Sequence, residues 1–280
     1  MSELLEAAGR WGTEVQEAFE LACSLARDAG RLVVARSRDR FAVHKKGRVN
    51  LVTEVDLASE RLITEAVQRH FPGHQILAEE AGFSGGVGDL LWIVDPLDGT
   101  TNFAHGYPFF CVSIALASSR SGANPEILAG VVYNPLLEEL FAAVRGGGAF
   151  LNGGRISVSA EDRLEDSLLC TGFSYQFDEI VRNLEFFNRV MREARSVRRD
   201  GSAALDLCYV ACGRFDGFWE ISLNPWDVAA GALLVEEAGG RVSLFDGRPG
   251  GVFERECLAT NGRIHEALSR ILCGEERGGG

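Results

Sequence analysis

An apolar run that leads directly into two aspartates constrains this chain more than any other feature. Residues 90–94 are continuously apolar, which predicts a strand, and Asp95 follows at once. The chain then turns through Pro96 and Leu97 to reach Asp98. Two carboxylates three residues apart at a strand end can converge on one point, and the Leu97 carbonyl can join them. Hard divalent cations prefer such all-oxygen ligands. The alternative interpretation is a proline-containing turn that only caps a helix.

The next residues, Gly99, Thr100 and Thr101, are predicted to open a helical turn. Unpaired N–H groups and the helix dipole favour an anion at such a terminus. A cation site beside a phosphate cradle is the arrangement that metal-assisted phosphate hydrolysis requires. Further acids with the same potential are Asp56, Glu79, Glu80 and Asp227. Each could be only a helix cap or a solvated acid. Together with the two aspartates they predict a density of carboxylates that a metal would neutralise.

Hydrophobic periodicity sets the expected fold. Periods near 3.6 predict helices over residues 13–37 and from a capping box at Thr53 and Asp56 to about residue 71. Strands are expected at 74–78, 90–94, 109–117, 129–133, 140–144 and 155–158, with a glycine-rich loop at 81–89.

After residue 158 the pattern alternates between strand and helix. Strands are expected near 168–170, 197, 217–221, 242 and 258, and helices over 179–195, 202–212 and 228–238. This order predicts an α/β fold of the layered α+β sandwich type, with alternating layers of helices and mixed or antiparallel sheets. We interpret residues 1–280 as a single domain with subdomains 13–158 and 159–273 and a disordered tail at 274–280.

Composition excludes several classes of protein. A net charge of −12 disfavours nucleic acid as the main ligand. Seven cysteines without a CxxC pair and five histidines without a metal-binding spacing disfavour a disulfide framework or a zinc site. No apolar run is long enough to span a membrane, and the N-terminus lacks the pattern of a signal peptide. We therefore expect a cytoplasmic protein. No GxGxxG follows a strand and no GxxxxGK[ST] occurs, which disfavours a dehydrogenase or a nucleotide kinase.

The order and spacing of five sequence blocks resemble the inositol monophosphatase family, within the lithium-sensitive, magnesium-dependent sugar-phosphatase superfamily. The similarity runs from about Leu21 to Ile271. The blocks are Lys45 with Asn50–Asp56, Glu79-Glu80, Asp95–Phe103, Gly201–Ala204, and Glu220 with Pro225–Asp227.

The resemblance implies a cluster of two to three Mg²⁺ ions. Glu79, Asp95 and the Leu97 carbonyl would hold the first ion. Asp95, Asp98 and Asp227 would hold the second, and Glu79 would assist a weaker third ion through waters. The activated water would attack phosphorus in line.

The resemblance also assigns roles around the ions. Thr100, hydrogen-bonded to Asp56, would orient the attacking water, and Lys45 and Glu80 would be accessory residues. The implied substrate-binding residues are Asp98, Gly99, Thr100, Thr101, Arg198, Ala203, Glu220 and Asp227. A homodimer and inhibition by lithium are further implications.

Inositol monophosphate is the expected substrate. A carboxylate at Glu220 suits a neutral polyol and repels a second phosphate. Histidinol phosphate, fructose 1,6-bisphosphate and adenosine 3′,5′-bisphosphate are the alternatives. A bisphosphate should need a second basic group, and Arg198-Arg199 is the one basic cluster that stands out. An alternative of another class is a regulatory or scaffold protein that retains the fold.

Overall fold

The computed structural model describes residues 1–37, 43–45, 51–121, 124–174 and 176–274. The described helices are α1 (Ser2–Arg10), α2 (Thr13–Arg36), α3 (Glu54–His70), α4 (Thr100–Ala104), α5 (Phe177–Val190), α6 (Ala203–Ala211), α7 (Pro225–Glu237) and α8 (His265–Cys273). Within these ranges no helix is both long and apolar enough to cross a membrane.

The strands form two large sheets and one short hairpin. The hairpin consists of β1 (Val43–Lys45) and β2 (Leu51–Thr53). The eight-stranded sheet contains, in spatial order, β10 (Gly154–Arg155), β9 (Gly148–Leu151), β8 (Glu139–Val144), β7 (Glu126–Asn134), β6 (Cys111–Ser118), β5 (Leu90–Asp98), β3 (Gln75–Ala78) and β4 (Gly82–Gly85). The five-stranded sheet contains β12 (Ser196–Arg198), β11 (Leu168–Thr171), β13 (Gly217–Ile221), β15 (Glu256–Thr260) and β14 (Arg241–Ser243).

The elements stack as five alternating layers. Helices α1, α2 and α3 lie on one face of the eight-stranded sheet. Helices α6 and α7 fill the space between the two sheets. Helices α5 and α8 cover the outer face of the five-stranded sheet. The predicted layered α/β sandwich is therefore confirmed.

Strand β5 shows why the run at 90–94 is continuously apolar. Leu91 and Ile93 belong to the core shared with α6 and α7. Trp92 and Val94 belong to the core beneath α2 and α3. Because successive side chains point to opposite faces, a central strand between two helical layers needs apolar residues at every position.

One strand pair sets the geometry of the site. Strands β3 and β5 are parallel, with Ala78 opposite Val94, whereas the other neighbouring pairs in the eight-stranded sheet are antiparallel. The Glu79 amide continues the ladder by donating to the Val94 carbonyl at 3.2 Å. The carboxyl ends of both strands therefore meet, and Glu79 comes level with Asp95.

Several boundaries differ from the sequence prediction. The expected loop at 81–89 contains β4, which pairs with β3 although it carries two glycines. The helix predicted over 179–195 ends at Val190, and the strand predicted over 155–158 is reduced to its first residue. Helices α1 and α8 were missed, because both are short and α1 precedes the periodic region. The tail at 275–280 lies outside the described residues, and Gly274 caps α8 in a left-handed conformation.

The predicted division near residue 158 coincides with a change of sheet. Strands β1 to β10 precede it and β11 to β15 follow it. Both α6 and α7 come from the second part and pack on the sheet of the first. The subdomain boundary itself stays a prediction.

Candidate active site

The two aspartates of β5 are brought together by a bulge. Asp95 pairs with Ser113 and Asp98 with Cys111, so that two residues of β5 have no partner on β6. The strand therefore runs to Asp98 instead of ending near Asp95. The bulge re-aims the chain as such irregularities do, and the Leu97 amide donates to Asp95 Oδ1 at 3.0 Å.

Gly99 turns the chain from β5 into α4. Its φ of 92° lies in the left-handed region, and a Cβ there would stand 2.9 Å from the Phe109 carbonyl oxygen. Only glycine satisfies both conditions without strain. The predicted helical turn is confirmed, and α4 begins at Thr100.

A buried pair joins α3 to α4. Thr100 Oγ1 lies 2.8 Å from Asp56 Oδ1, which is the contact that the family resemblance implied. Asp56 is fully buried and its other oxygen accepts from the Thr53 amide at 2.9 Å, which confirms the predicted capping box. Burial raises the pKa of Asp56 above its ordinary value.

Three carboxylates from different parts of the fold lie around Asp95. Glu79 follows β3, Asp98 ends β5, and Asp227 lies in the first turn of α7. Burial, and then the negative charges of Glu79, Asp98 and Asp227, hold the pKa of Asp95 well above its usual range. Like charges at this spacing cannot all ionise cheaply in the absence of a cation.

The donor set fits hard divalent cations. Asp95 Oδ1, Asp98 Oδ2 and Asp227 Oδ2 accept hydrogen bonds from protein groups. The Ala203 amide also hydrogen-bonds to Asp98, and the Asn224 side chain to Asp227, so protein groups hold these carboxylates in place. Their oxygens and the Leu97 carbonyl are the ligand type that Mg²⁺ takes. No group of three or more acid, histidine or cysteine side chains among the described residues is arranged to hold a metal ion by itself. Mg²⁺ is usually bound through one or two carboxylates and keeps several waters.

The N-terminus of α6 holds Asp98 in place. Ser202 Oγ donates to Asp98 Oδ2 at 2.7 Å and the Ala204 amide donates at 2.8 Å. The Cys111 thiol lies 3.8 Å from the same oxygen. Sequence reasoning missed Ser202 and Cys111 as supports, although Ser202 belongs to the quoted Gly201–Ala204 block.

Asp227 is positioned by its own helix. The Asn224 amide donates to Asp227 Oδ2 at 2.7 Å, and Asn224 is the N-cap of α7. Asp227 is therefore the third helical residue and completes a capping box with Asn224, because Pro225 takes the first helical position. Burial and the neighbouring Asp98 raise the pKa of Asp227 to about 7.

The acids open into a pocket of about 180 Å³. Glu220, on β13, lies on its wall, and burial and the charges of Asp227 and Asp98 raise the pKa of Glu220 to about 8. Predicted residues on the wall are Glu79, Asp95, Leu97, Asp98, Gly99, Thr100, Ala203, Glu220 and Asp227. A larger cavity of about 250 Å³ beside α7 is lined by none of the predicted site residues. We therefore assign the site to the smaller, acidic pocket.

Other predicted residues lie elsewhere. Arg198 is exposed and donates to Ser196 Oγ at 2.7 Å, and its neighbour Arg199 lines the pocket instead. Neither Thr101 nor Glu80 lines the pocket, and the Glu80 amide donates to Glu60 Oε2 at 2.8 Å. Lys45 belongs to β1, but its side chain lies outside the described part of the chain.

Sequence reasoning also missed one part of the pocket wall. Gly172, Phe173 and Ser174, which follow β11, line the pocket. A Cβ on Gly172 would stand 2.1 Å from both carboxylate oxygens of Glu220. No local pattern signals this contact, because it depends on how β11 and β13 pair.

Comparison with known proteins agrees with this geometry. The model of the inositol monophosphatase family matches residues 14–276. The chain is 45% identical to an inositol-1-monophosphatase of Synechocystis, over 93% of this chain and 90% of that protein. It is 44% identical to the Nus factor SuhB of Pseudomonas aeruginosa, over 91% of this chain and 95% of that protein.

Solved structures give the same result. An inositol monophosphatase from Anabaena (Nostoc) superposes with a TM-score of 0.82 at 43% identity, covering 94% of this chain and 97% of that one. The sequence blocks, the layered fold and the carboxylate cluster all point the same way. This chain belongs to the inositol monophosphatase family.

Proposed function

We propose that this protein is a magnesium-dependent phosphomonoesterase that hydrolyses inositol monophosphate to inositol and inorganic phosphate. The observation that carries the proposal is the convergence of Glu79, Asp95, Asp98 and Asp227 on one pocket. The Thr100–Asp56 pair adjoins the same pocket. When bound, the cations neutralise the acids, bind the phosphoryl group and activate water.

Asp95 and Asp227 would hold the cations together with Glu79, Asp98 and the Leu97 carbonyl. Hydrogen bonds from the Leu97, Ala204 and Asn224 amides hold Asp95, Asp98 and Asp227 in place, and all three aspartates line the pocket. Preorganised ligands of this kind avoid reorganisation during the reaction.

Thr100 and Asp56 supply a route for the proton. Because the Thr100 hydroxyl donates to Asp56, its lone pairs are left to accept a hydrogen bond from the attacking water. The proton released by that water can then pass through the hydroxyl to Asp56. The raised pKa of Asp56 makes it a stronger base than an exposed aspartate.

Glu220 is proposed to recognise the polyol. Its carboxylate stands on the pocket wall and can accept hydrogen bonds from ring hydroxyls. A cationic amine would also suit it, so histidinol phosphate remains the alternative substrate. Comparison of the two phosphate esters at equal Mg²⁺ decides between them.

Finer assignments belong to the same proposal. We expect two to three Mg²⁺ ions, inhibition by lithium, a homodimer and a cytoplasmic location. A regulatory role in addition is suggested by a 44% identical relative that is named a Nus factor. All of the predicted acidic ligands are present, which favours catalysis as the primary role.

The first test is phosphate release from inositol 1-phosphate with Mg²⁺ or with EDTA. Asp95→Asn should lower kcat by roughly 100-fold or more, since even partners outside the ligand shell cost 10–100-fold. Asp246→Asn is the control, because Asp246 is remote from the pocket and pairs with Arg248. Calorimetric titration should show weaker Mg²⁺ binding in Asp95→Asn than in the wild type, and unchanged Mg²⁺ binding in Asp246→Asn.

Near wild-type turnover and Mg²⁺ affinity in Asp95→Asn, with an unchanged melting temperature, would contradict the proposal. Activity that is equal in Mg²⁺ and in EDTA would contradict it independently.

A further inference from the structure

The pocket contains one basic side chain. Arg199 is the single lysine or arginine among the described residues that line it, and it shares the wall with five carboxylates. In the described part of the chain, its guanidinium forms no ion pair or hydrogen bond. A cation that faces a cluster of acids without pairing to any of them is placed for a group that comes from outside.

The turn that carries Arg199 is fixed to the candidate catalytic helix. The Asn102 side-chain amide, on α4, donates to the Asp200 carbonyl at 2.8 Å and to the Phe109 carbonyl at 2.7 Å. Gly201 has a φ of 87°, and a Cβ built on it would stand 3.0 Å from Arg199 Nη1. One guanidinium nitrogen of Arg199 thus lies beside Gly201, and the Asn102 contacts hold this turn against α4.

Arg198 provides the contrast. It precedes Arg199 directly but donates to Ser196 Oγ at 2.7 Å and does not line the pocket. The two arginines have the same charge and the same exposure class, so the difference between them is position alone.

Glu220 and Arg199 define the pocket beyond the metal ligands. Arg199 is close enough to Glu220 to oppose the rise in its pKa. Glu220 alone would repel a second anion on the substrate. A guanidinium beside it offsets that repulsion and presents a fork of donors that matches phosphate or carboxylate oxygens.

We propose that Arg199 is a specificity-determining residue that lets the pocket accept phosphate monoesters with a second anionic group, such as a second phosphate. The inference deepens the proposed function and rests on it. Neutral polyol phosphates still bind, because hydroxyl oxygens can also accept from the guanidinium. The second anion is read at the Arg199 side of the pocket while the first phosphate lies among the metal ligands.

The test compares two substrates that differ only by the second phosphate, inositol 1-phosphate and inositol 1,4-bisphosphate. In Mg²⁺, Arg199→Gln should lower kcat/KM for the bisphosphate about tenfold more than for the monophosphate, mainly through KM. Arg198→Gln is the matched control and should keep the wild-type ratio between the two substrates. Arg199→Lys should recover part of the ratio, because it keeps the charge and loses the fork.

Binding is measured in parallel by calorimetry with Ca²⁺ in place of Mg²⁺, so that a result does not depend on turnover. Equal losses on both ligands in Arg199→Gln would overturn the inference. So would an equal change of the ratio in Arg198→Gln. If neither ester is hydrolysed but the bisphosphate loses affinity selectively in Arg199→Gln, the proposed function fails and the role of Arg199 stands.

Discussion

The buried acids predict an unusual pH dependence of stability in the metal-free protein. A carboxyl group whose pKa is raised by folding holds its proton in the native state longer than in the unfolded chain. Its contribution to stability is complete at low pH and is lost as the pH rises through the folded-state pKa. Those values are about 7 for Asp227 and about 8 for Glu220, so the loss continues above neutral pH.

The other buried titratable groups decide the pH range in which this effect should be measured. Burial lowers the pKa of His265 to about 4, and its opposite effect on stability is nearly complete by pH 7, above the ordinary value of 6.5. The buried thiols, whose pKa is raised from 9, contribute only at higher pH. Between pH 7 and 8.5 the acids of the pocket therefore act together with Asp206, a buried acid outside the pocket whose pKa burial also raises well above its usual range.

The magnitude can be worked out from the same values. One pH unit over which a group is protonated only in the native state changes the free energy of unfolding by about 1.4 kcal/mol. Over pH 7–8.5 this gives about 1 kcal/mol from Glu220 and well under 1 kcal/mol from Asp227, reduced because both side chains touch the open pocket. Asp95, whose pKa is also raised, adds to the sum. We expect a total of about 1–2 kcal/mol, or a fall in Tm of roughly 2–8 °C.

The assay is thermal and urea unfolding in EDTA and in Mg²⁺ at pH 7.0, 7.5, 8.0 and 8.5. In EDTA the stability should fall with pH. In Mg²⁺ it should fall less, because the cation binds the ionised acids of the pocket, whereas Asp206 lies outside the pocket and loses its proton in both conditions. Glu220→Gln should reduce the slope in EDTA, and Asp246→Asn, which is exposed, should leave it unchanged. A flat or rising stability in EDTA, with no effect of Glu220→Gln, would refute the reasoning.

Three further substitutions test other contacts. Gly172→Ala should lower activity on inositol 1-phosphate about tenfold without loss of stability, because its Cβ would displace the Glu220 carboxylate; unchanged kinetics would contradict this. Gly130→Ala should lower the free energy of unfolding by about 1–3 kcal/mol, since its Cβ would stand 2.9 Å from the backbone of α7. Gly73→Ala is the control, because open space surrounds a Cβ there, and equal unfolding midpoints of the two variants would contradict the prediction. Asp206→Asn should stabilise the metal-free protein by about 1–3 kcal/mol at pH 8 and by less at pH 5, because both oxygens of this buried carboxylate lack a hydrogen-bond partner among the described residues. A lower free energy of unfolding at pH 8 would contradict this.

Much of the layered fold could be predicted because its signals are local. The helix at 13–36 follows from the hydrophobic period alone, and the continuous apolar run at 90–94 indicated the strand β5. The limits of β4 and α5 could not be predicted in the same way. Strand β4 exists because β3 offers a free edge, which outweighs the low strand propensity of its glycines.

The candidate site divides along the same line. One short segment contains Asp95, Asp98 and Gly99, so that their proximity could be predicted from the sequence. The sequence could not predict that Arg199 rather than Arg198 lines the pocket, because this depends on the conformation of the turn at Gly201. Gly172 carries no signal at all, since its role arises from a neighbouring strand.

The placement of α7 in the central layer has a mechanical consequence. This helix touches both sheets and delivers Asp227 to acids that are anchored on the far sheet. Sliding one sheet past the other would therefore pull the fourth carboxylate away from the other three. A cation bound by all four carboxylates would link the two sheets, and its affinity would then depend on how firmly the two sheets pack against α7.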